Sequence, residues 1–183
     1  MSATTAERST APDTLHLSRW TVASGSNMQS RGAVVIASGD HQWEASAEGN
    51  GPIDALYNAV DRAIADVLAG HPRLVGYDIH ALAEGPDAEG EVRVAIVPPS
   101  AAAGARAEGR YEGTAHSTNI VAASVEAYIE SINRMLAESH WAGAAESAGN
   151  RKRARVTQEE ASARRAELDE DAGRIDTTDW FNR

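Results

Sequence analysis

Cysteine is absent from the 183-residue chain, so neither a disulfide framework nor a thiolate metal site is available to it. Aromatic residues make up only 5%, and the single phenylalanine, Phe181, stands almost at the C-terminal end. A core built from this chain must be aliphatic and alanine-rich. Positive charge is also scarce: 17 Lys+Arg against 27 Asp+Glu give a formal net charge of −10. Nucleic-acid binding rests on clustered cations that neutralise phosphates, so this balance argues against a nucleic-acid partner. No run approaches the roughly 18 apolar residues of a membrane span. The opening MSATTAERSTAPDT lacks the basic start and apolar stretch of a signal peptide. A cytoplasmic protein without a membrane partner is expected. A (β/α)8 barrel needs about 200 residues at least, so chemistry that depends on such a barrel is not carried here.

What is present divides into three parts. Residues 1–14 are rich in Ser, Thr, Ala and Pro and read as a disordered lead-in. Residues 15–138 hold the periodic segments, with eight arginines against sixteen carboxylates. Residues 139–183 form a charged tail, partly helical or disordered, with a basic block (Arg151, Lys152, Arg153, Arg155) ahead of an acidic one (Glu167, Asp169, Glu170, Asp171). Within the tail, 156–172 reads as a charged helix. The Trp180-Phe181 pair is either a docking anchor or a segment folded back on the body.

The middle part repeats one pattern. Leu15–Ser24 partly alternates and reads as a strand with a register change between Leu17 and Trp20; Arg31–Ser38 and His41–Glu48 follow, joined by a Ser38-Gly39-Asp40 turn. Pro52 then opens a helix, because its missing N–H costs nothing at the first helical position. Ile53, Leu56, Tyr57, Val60, Ile64, Val67 and Leu68 recur at helical spacing, and Gly70 and Pro72 end the run. Leu74–Ala83, Glu91–Pro98 and Arg110–His116 read as three further strands. A second helix starts at Ser117-Thr118-Asn119, each a competent cap, with Ile120, Ser124, Tyr128, Ile132 and Met135 on one face. The order strand-strand-strand-helix, twice, predicts an α+β fold of two βββα units, antiparallel three-stranded sheets each backed by a helix. So thin a pair of layers is expected to dimerise.

Chemistry is harder to find. The six histidines lie far apart, with no H-x-H or HExxH pattern, which argues against a metal site. No G-x-S-x-G is present. Gly49-Asn50-Gly51-Pro52 stands out, running straight into the apolar helix. One reading is structural: a tight turn needs residues that tolerate positive φ. The other is that glycines let a ligand approach while free N–H groups and the helix dipole receive a small carboxylate.

Three segments, GNGPIDALYNAVDRAI, GYDIHALAEGPDAEGEVRVAI and HSTNIVAASVEAYIESINRML, resemble the C-terminal regulatory domain of the 2-isopropylmalate synthases and citramalate synthases. The resemblance runs from about Leu15 to Leu136. It implies two βββα units, a homodimer, and an end-product amino acid, leucine or isoleucine, bound at the dimer interface. It also implies a separate catalytic synthase subunit, because the family's barrel, with its metal and acetyl-CoA sites, has no counterpart in the chain. By motif match the implied ligand-binding residues are Gly49, Asn50, Gly51, Ile53, Asp54, Tyr77, Ala81, Ala88, Gly90, His116 and Thr118. Ala81, Ala88 and Gly90 are small enough to leave room for a branched aliphatic side chain, and Asp54 or Asp78 is available to an ammonium. No catalytic residue, cofactor or metal is implied. His116 departs from the pattern, placing a bulky, titratable ring where the pocket wall is usually apolar. The alternatives to an amino-acid sensor are a ligand-free dimerisation or scaffolding protein and a non-catalytic subunit of a split synthase.

Overall fold

The computed structural model describes residues 14–68, 70–85, 87–99, 109–138 and 144–173, with side chains left aside at 145–146 and 161–173. The expected lead-in (1–14, save its last residue) and the Trp180-Phe181 pair lie outside these residues. The chain divides into two compact bodies, 1–147 and 148–183.

The first body contains β1 (His16–Gly25), β2 (Met28–Ser38), β3 (His41–Gly49), α1 (Pro52–Ala63), β4 (Arg73–Ala81), β5 (Gly90–Val97), β6 (Tyr111–Ser117) and α2 (Ile120–Leu136). The strands form two antiparallel sheets, β1-β2-β3 and β4-β5-β6. The fold class is the one the element pattern predicts. β1 carries a register shift between Leu17 and Arg19, after which Trp20 pairs with Val34 as Leu17 pairs with Ile36. This is the expected change of register, and it keeps both large side chains on the helix-facing side.

α1 lies over β2 and β3, and α2 lies over β5 and β6. Val34, Ile36, Leu56 and Val60 fill the first layer; Val92, Val94, Ile96, Tyr128 and Ile132 fill the second, all essentially inaccessible to solvent. Asn119 caps α2, accepting the N–H groups of Val121 and Ala122. α1 is shorter than its apolar stripe suggested. Ile64 leaves helical geometry at φ −94°, ψ 12°, and tighter bonds follow, Val67 N–H donating to the Ile64 carbonyl at 2.8 Å. Ile64, Val67 and Leu68 are still buried: a turn beyond the helix carries the same face inward.

The two halves are not equivalent. α2 reaches across to the first sheet, where the Asn133 amide closes a pair with the backbone of Leu15, the residue just ahead of β1: Leu15 N–H donates to Oδ1 at 2.9 Å and Nδ2 donates to the Leu15 carbonyl at 2.7 Å. α1 makes no comparable packing against β4. The residue that stands in α1 where Asn133 stands in α2 is Asp61, which has no N–H to offer a strand. The chain ahead of β4 holds Pro72, which has none either. Within the first body neither α1 nor α2 packs over β4 as α1 packs over β2 and β3. Leu74, Tyr77 and Ile79 point to the helix side of the sheet, paired with Ile96, Val94 and Val92, yet are 44%, 36% and 45% exposed.

α3 (Ala144–Gly173), thirty residues long, begins earlier than the 156–172 helix read from sequence, and from residue 148 on it belongs to the second body. No helix among the described residues is long and apolar enough to cross a membrane.

Candidate functional site

The matched residues of the second half gather at one end of its sheet. Ala81 closes β4 opposite Gly90, which opens β5; Gly90 in turn lies opposite Ser117 at the end of β6. Ala88 is in the connecting turn and Thr118 leads into α2. Tyr77 and Ala81 share the inner, helix-side face of β4, because strand residues two apart point the same way. His116 does not. It pairs with Glu91, one residue out of phase with the buried Val92, so its ring stands on the reverse face, with Nε2 3.1 Å from a Glu91 oxygen. Glu91 is held below the ordinary carboxylate range, chiefly by its hydrogen bond from Arg93 and secondarily by charge from Arg93 and His116. Gly90 is buried, and a Cβ added there would run into Ile120 Cδ1. Its smallness leaves room for the Ile120 side chain at the start of α2, while Ala81 and the inner-face residues Leu74, Tyr77 and Ile79 of β4 are exposed.

Tyr77 begins a chain of polar contacts that the sequence did not single out. Ser124 Oγ spends its proton on the Ile120 carbonyl at 2.6 Å, so the Tyr77 hydroxyl donates to Ser124 Oγ, 2.7 Å away. The Tyr57 hydroxyl donates to the Ser124 carbonyl at 3.1 Å. The Tyr57 ring stacks on Tyr128, centroids 4.3 Å apart, and the Tyr128 hydroxyl donates to Asp61 Oδ1 at 2.6 Å. His71 Nδ1 lies 3.7 Å from the other Asp61 oxygen. Burial pushes the Tyr57 and Tyr128 hydroxyls well above the usual phenol range, so both remain protonated donors. Asp61 is raised as well, mainly by burial, which the Tyr128 hydrogen bond and His71 only partly offset. This chain ties the β4 face to the α1–α2 junction. One signal for it was present: Ser124 is a hydroxyl in the middle of the Ile120–Ile132 stripe, and a buried hydroxyl requires a partner.

The matched residues of the first half, Gly49, Asn50, Gly51, Ile53 and Asp54, form the β3–α1 junction. The positive-φ reading of this turn is overturned. Among the described residues only Gly39, Gly70 and Gly85 have positive φ, and Gly51, the N-cap of α1, is extended at φ −156°. Gly49 is needed for another reason: a Cβ there would collide with the backbone of Ala55, so the glycine lets α1 lie against the strand. The N-terminus of α1 already carries a negative group, since Asp54 Oδ2 accepts the Asn50 N–H at 2.9 Å. Asn50 and Asp54 are exposed and Ile53 half-buried. Among the described residues no hydrogen bond or ion pair joins this group to the Tyr77–Thr118 group.

Other places offer less. A cavity of about 280 Å3 opens between β1 and α2, beside Leu17, Glu126 and Ile129, and contains none of the matched residues. Among the described residues no group of three or more His, Cys, Asp or Glu is arranged to hold a metal ion.

Comparison with known proteins places this arrangement. The family model of the LeuA allosteric (dimerisation) domain matches residues 2–136. A 2-isopropylmalate synthase from Salinibacter ruber (strain M8) is 42% identical over 103 residues, 56% of this chain and 17% of that protein. One from Ruminiclostridium cellulolyticum is 34% identical over 132 residues, 72% of this chain and 24% of the relative. One from Aquifex aeolicus (strain VF5) is 34% identical over 120 residues, 66% and 21% of the two chains. The chain spans a quarter or less of the length of these curated relatives. With two βββα units in the order read from sequence and a family match over most of its length, the chain belongs to the LeuA allosteric (dimerisation) domain family.

Proposed function

We propose that this chain is a regulatory module, non-catalytic by itself, that binds a branched-chain amino acid, leucine or isoleucine, between two copies and modulates a separate catalytic synthase subunit. The observation that carries this reading is the uncovered inner face of β4. Leu74, Tyr77 and Ile79 lie exposed on a strand whose partners β5 and β6 are covered by α2. Contiguous exposed apolar surface of this kind marks an interaction site, and the matched family is described as both allosteric and dimerising.

A second copy seated over β4 supplies what one chain lacks. Among the described residues no hydrogen bond or ion pair runs directly from the Gly49–Asp54 junction to the Tyr77–Thr118 group. In a symmetric pair each junction is available to the other copy's β4. The space over Ala81 and Ala88 then takes the branched side chain. The exposed Asp54 carboxylate takes the ammonium, and the Asn50 amide with the Gly51 N–H takes the ligand carboxylate. Thr118 borders this space from the lead-in to α2, beside Gly90. His116, on the reverse face with Glu91, acts only through the position of the β5–β6 edge.

Calorimetry of the full chain with leucine, isoleucine and valine tests the sensor. Binding of one of them, lost on Ala81→Leu, is the expected result; no binding of any at millimolar concentration sinks it. A dimer by light scattering whose melting temperature is indifferent to all three would favour the scaffolding alternative. Identifying what co-purifies with the chain tests the catalytic partner.

A further inference from the structure

Two tyrosine hydroxyls from different elements meet at one residue of α2. Ser124 is fully buried, and its hydroxyl is oriented from within the helix because its proton goes to the Ile120 carbonyl at 2.6 Å. The Oγ lone pairs are left to the Tyr77 hydroxyl, 2.7 Å away. The Tyr57 hydroxyl uses the Ser124 carbonyl instead, at 3.1 Å, and the Tyr57 ring is fixed independently by its stack on Tyr128. Of the two tyrosines, the Ser124 side chain therefore serves Tyr77 alone.

Tyr77 needs such a tether. Its neighbours on the inner face of β4, Leu74 and Ile79, are 44% and 45% exposed, so packing along the strand does little to confine the ring. Among the described residues Tyr77 is the one β4 residue whose side chain makes a hydrogen bond. Held at its far end by Ser124, the ring bridges from the strand to α2. Released, it has a second common χ1 setting that leans along the strand. There it settles on Ile79, which shares the face two residues on, and narrows the approach to Ala81. The hydrogen bond to Ser124 selects between the two positions.

We propose that Ser124 is a positioning residue for the amino-acid site: it holds the Tyr77 ring against α2 and so keeps the β4 face beside Ile79 and Ala81 free for a branched aliphatic side chain. This role rests on the amino-acid reading of that face. Ser124 itself, being buried, does not touch the ligand.

Ser124→Ala removes the tether at little cost to the helix, since alanine is the best helix former and the Ile120 carbonyl keeps its helical N–H partner. Tyr77→Phe breaks the same bond from the strand. Leucine, isoleucine and valine are titrated calorimetrically into the full parent chain, each single variant and the double variant. The tightest binder of the three is expected to bind each single variant about three- to tenfold more weakly than the parent. The double variant is expected to bind it no more weakly than the weaker single, because both substitutions delete one bond. In the ligand-free chain, nuclear Overhauser contacts between the Tyr77 ring and the Ile79 methyl groups are expected to strengthen in Ser124→Ala, a change that a role confined to folding stability would not produce. Parent-like affinity in Ser124→Ala, unchanged ring contacts, or losses that add in the double variant would each overturn the positioning role while leaving the amino-acid site standing. No binding of any of the three by the parent chain would overturn both.

Discussion

Asp61 shows how one side chain records the asymmetry of the molecule. Its carboxyl is raised by burial, so the ionised form is disfavoured in the folded state. The sign follows by linkage. A carboxyl with a raised folded-state value contributes stability in full below its unfolded value, near pH 3.9, and loses that contribution as pH rises through the folded value. Asp61→Asn keeps an acceptor for the Tyr128 hydroxyl and removes the charge. It is expected to raise the melting temperature at neutral pH, with the advantage over the parent chain vanishing in acid; melting curves across pH 3–8 check this. Asn133, the residue at the matching place in α2, is expected to behave oppositely. Asn133→Ala leaves the Leu15 N–H and carbonyl without partners and should cost about 1–3 kcal/mol, read by denaturant titration, with faster amide exchange at the start of β1. Of this residue-scale picture the sequence showed little. Asp61 and Asn133 stand in similar triplets, Val60-Asp61-Arg62 and Ile132-Asn133-Arg134, but which group lies across from each depends on residues far away in the chain.

At the scale of elements, helices are seated on sheets through glycines. Gly49→Ala and Gly113→Ala each introduce a Cβ into helix backbone, that of Ala55 in the first case and of Ala127 and Ser131 in the second. Each is expected to destabilise by about 1–3 kcal/mol or more, because backbone cannot step aside as a flexible side chain can. Gly51→Ala has nothing within 4 Å of the new Cβ and should be neutral to within about 0.5 kcal/mol. Thermal unfolding of the three variants separates close approach from turn conformation as the reason for the Gly-Asn-Gly sequence. The elements themselves were legible: six strands, two helices, their order, the β1 register change and a cap within Ser117-Thr118-Asn119 all followed from periodicity and end signals, and the structure chose Asn119 as the cap. The end of α1 was not, since Ile64, Val67 and Leu68 continue a helical spacing although a turn carries them. Burial rewards the face presented, whatever backbone presents it.

For the molecule as a whole the consequence of these contacts is an uncovered strand. Ile79→Glu places a charge on the open β4 face, where Ile79 is 45% exposed. It is expected to leave the far-ultraviolet circular dichroism of the chain unchanged while shifting light-scattering mass toward the monomer. An unchanged mass would move the dimer interface away from β4. The candidate ligand residues were legible only as motifs. Tyr77 and Ala81 do share a face, but His116 stands on the other and Gly90 is occupied by Ile120, and neither fact is written in residue spacing.

Local order was determined by the amino-acid sequence alone: alternation marks strands, a period of 3.6 marks helices, and proline, glycine and asparagine mark their ends. The lack of cysteine argued against a thiolate metal site in the same way. Only the tertiary structure decided that α2 reaches β1 while α1 makes no comparable packing against β4, and that a serine, two tyrosines and an aspartate in two helices form one polar chain. Those outcomes depend on contacts between residues more than sixty positions apart, which side-chain periodicity within a single element cannot encode.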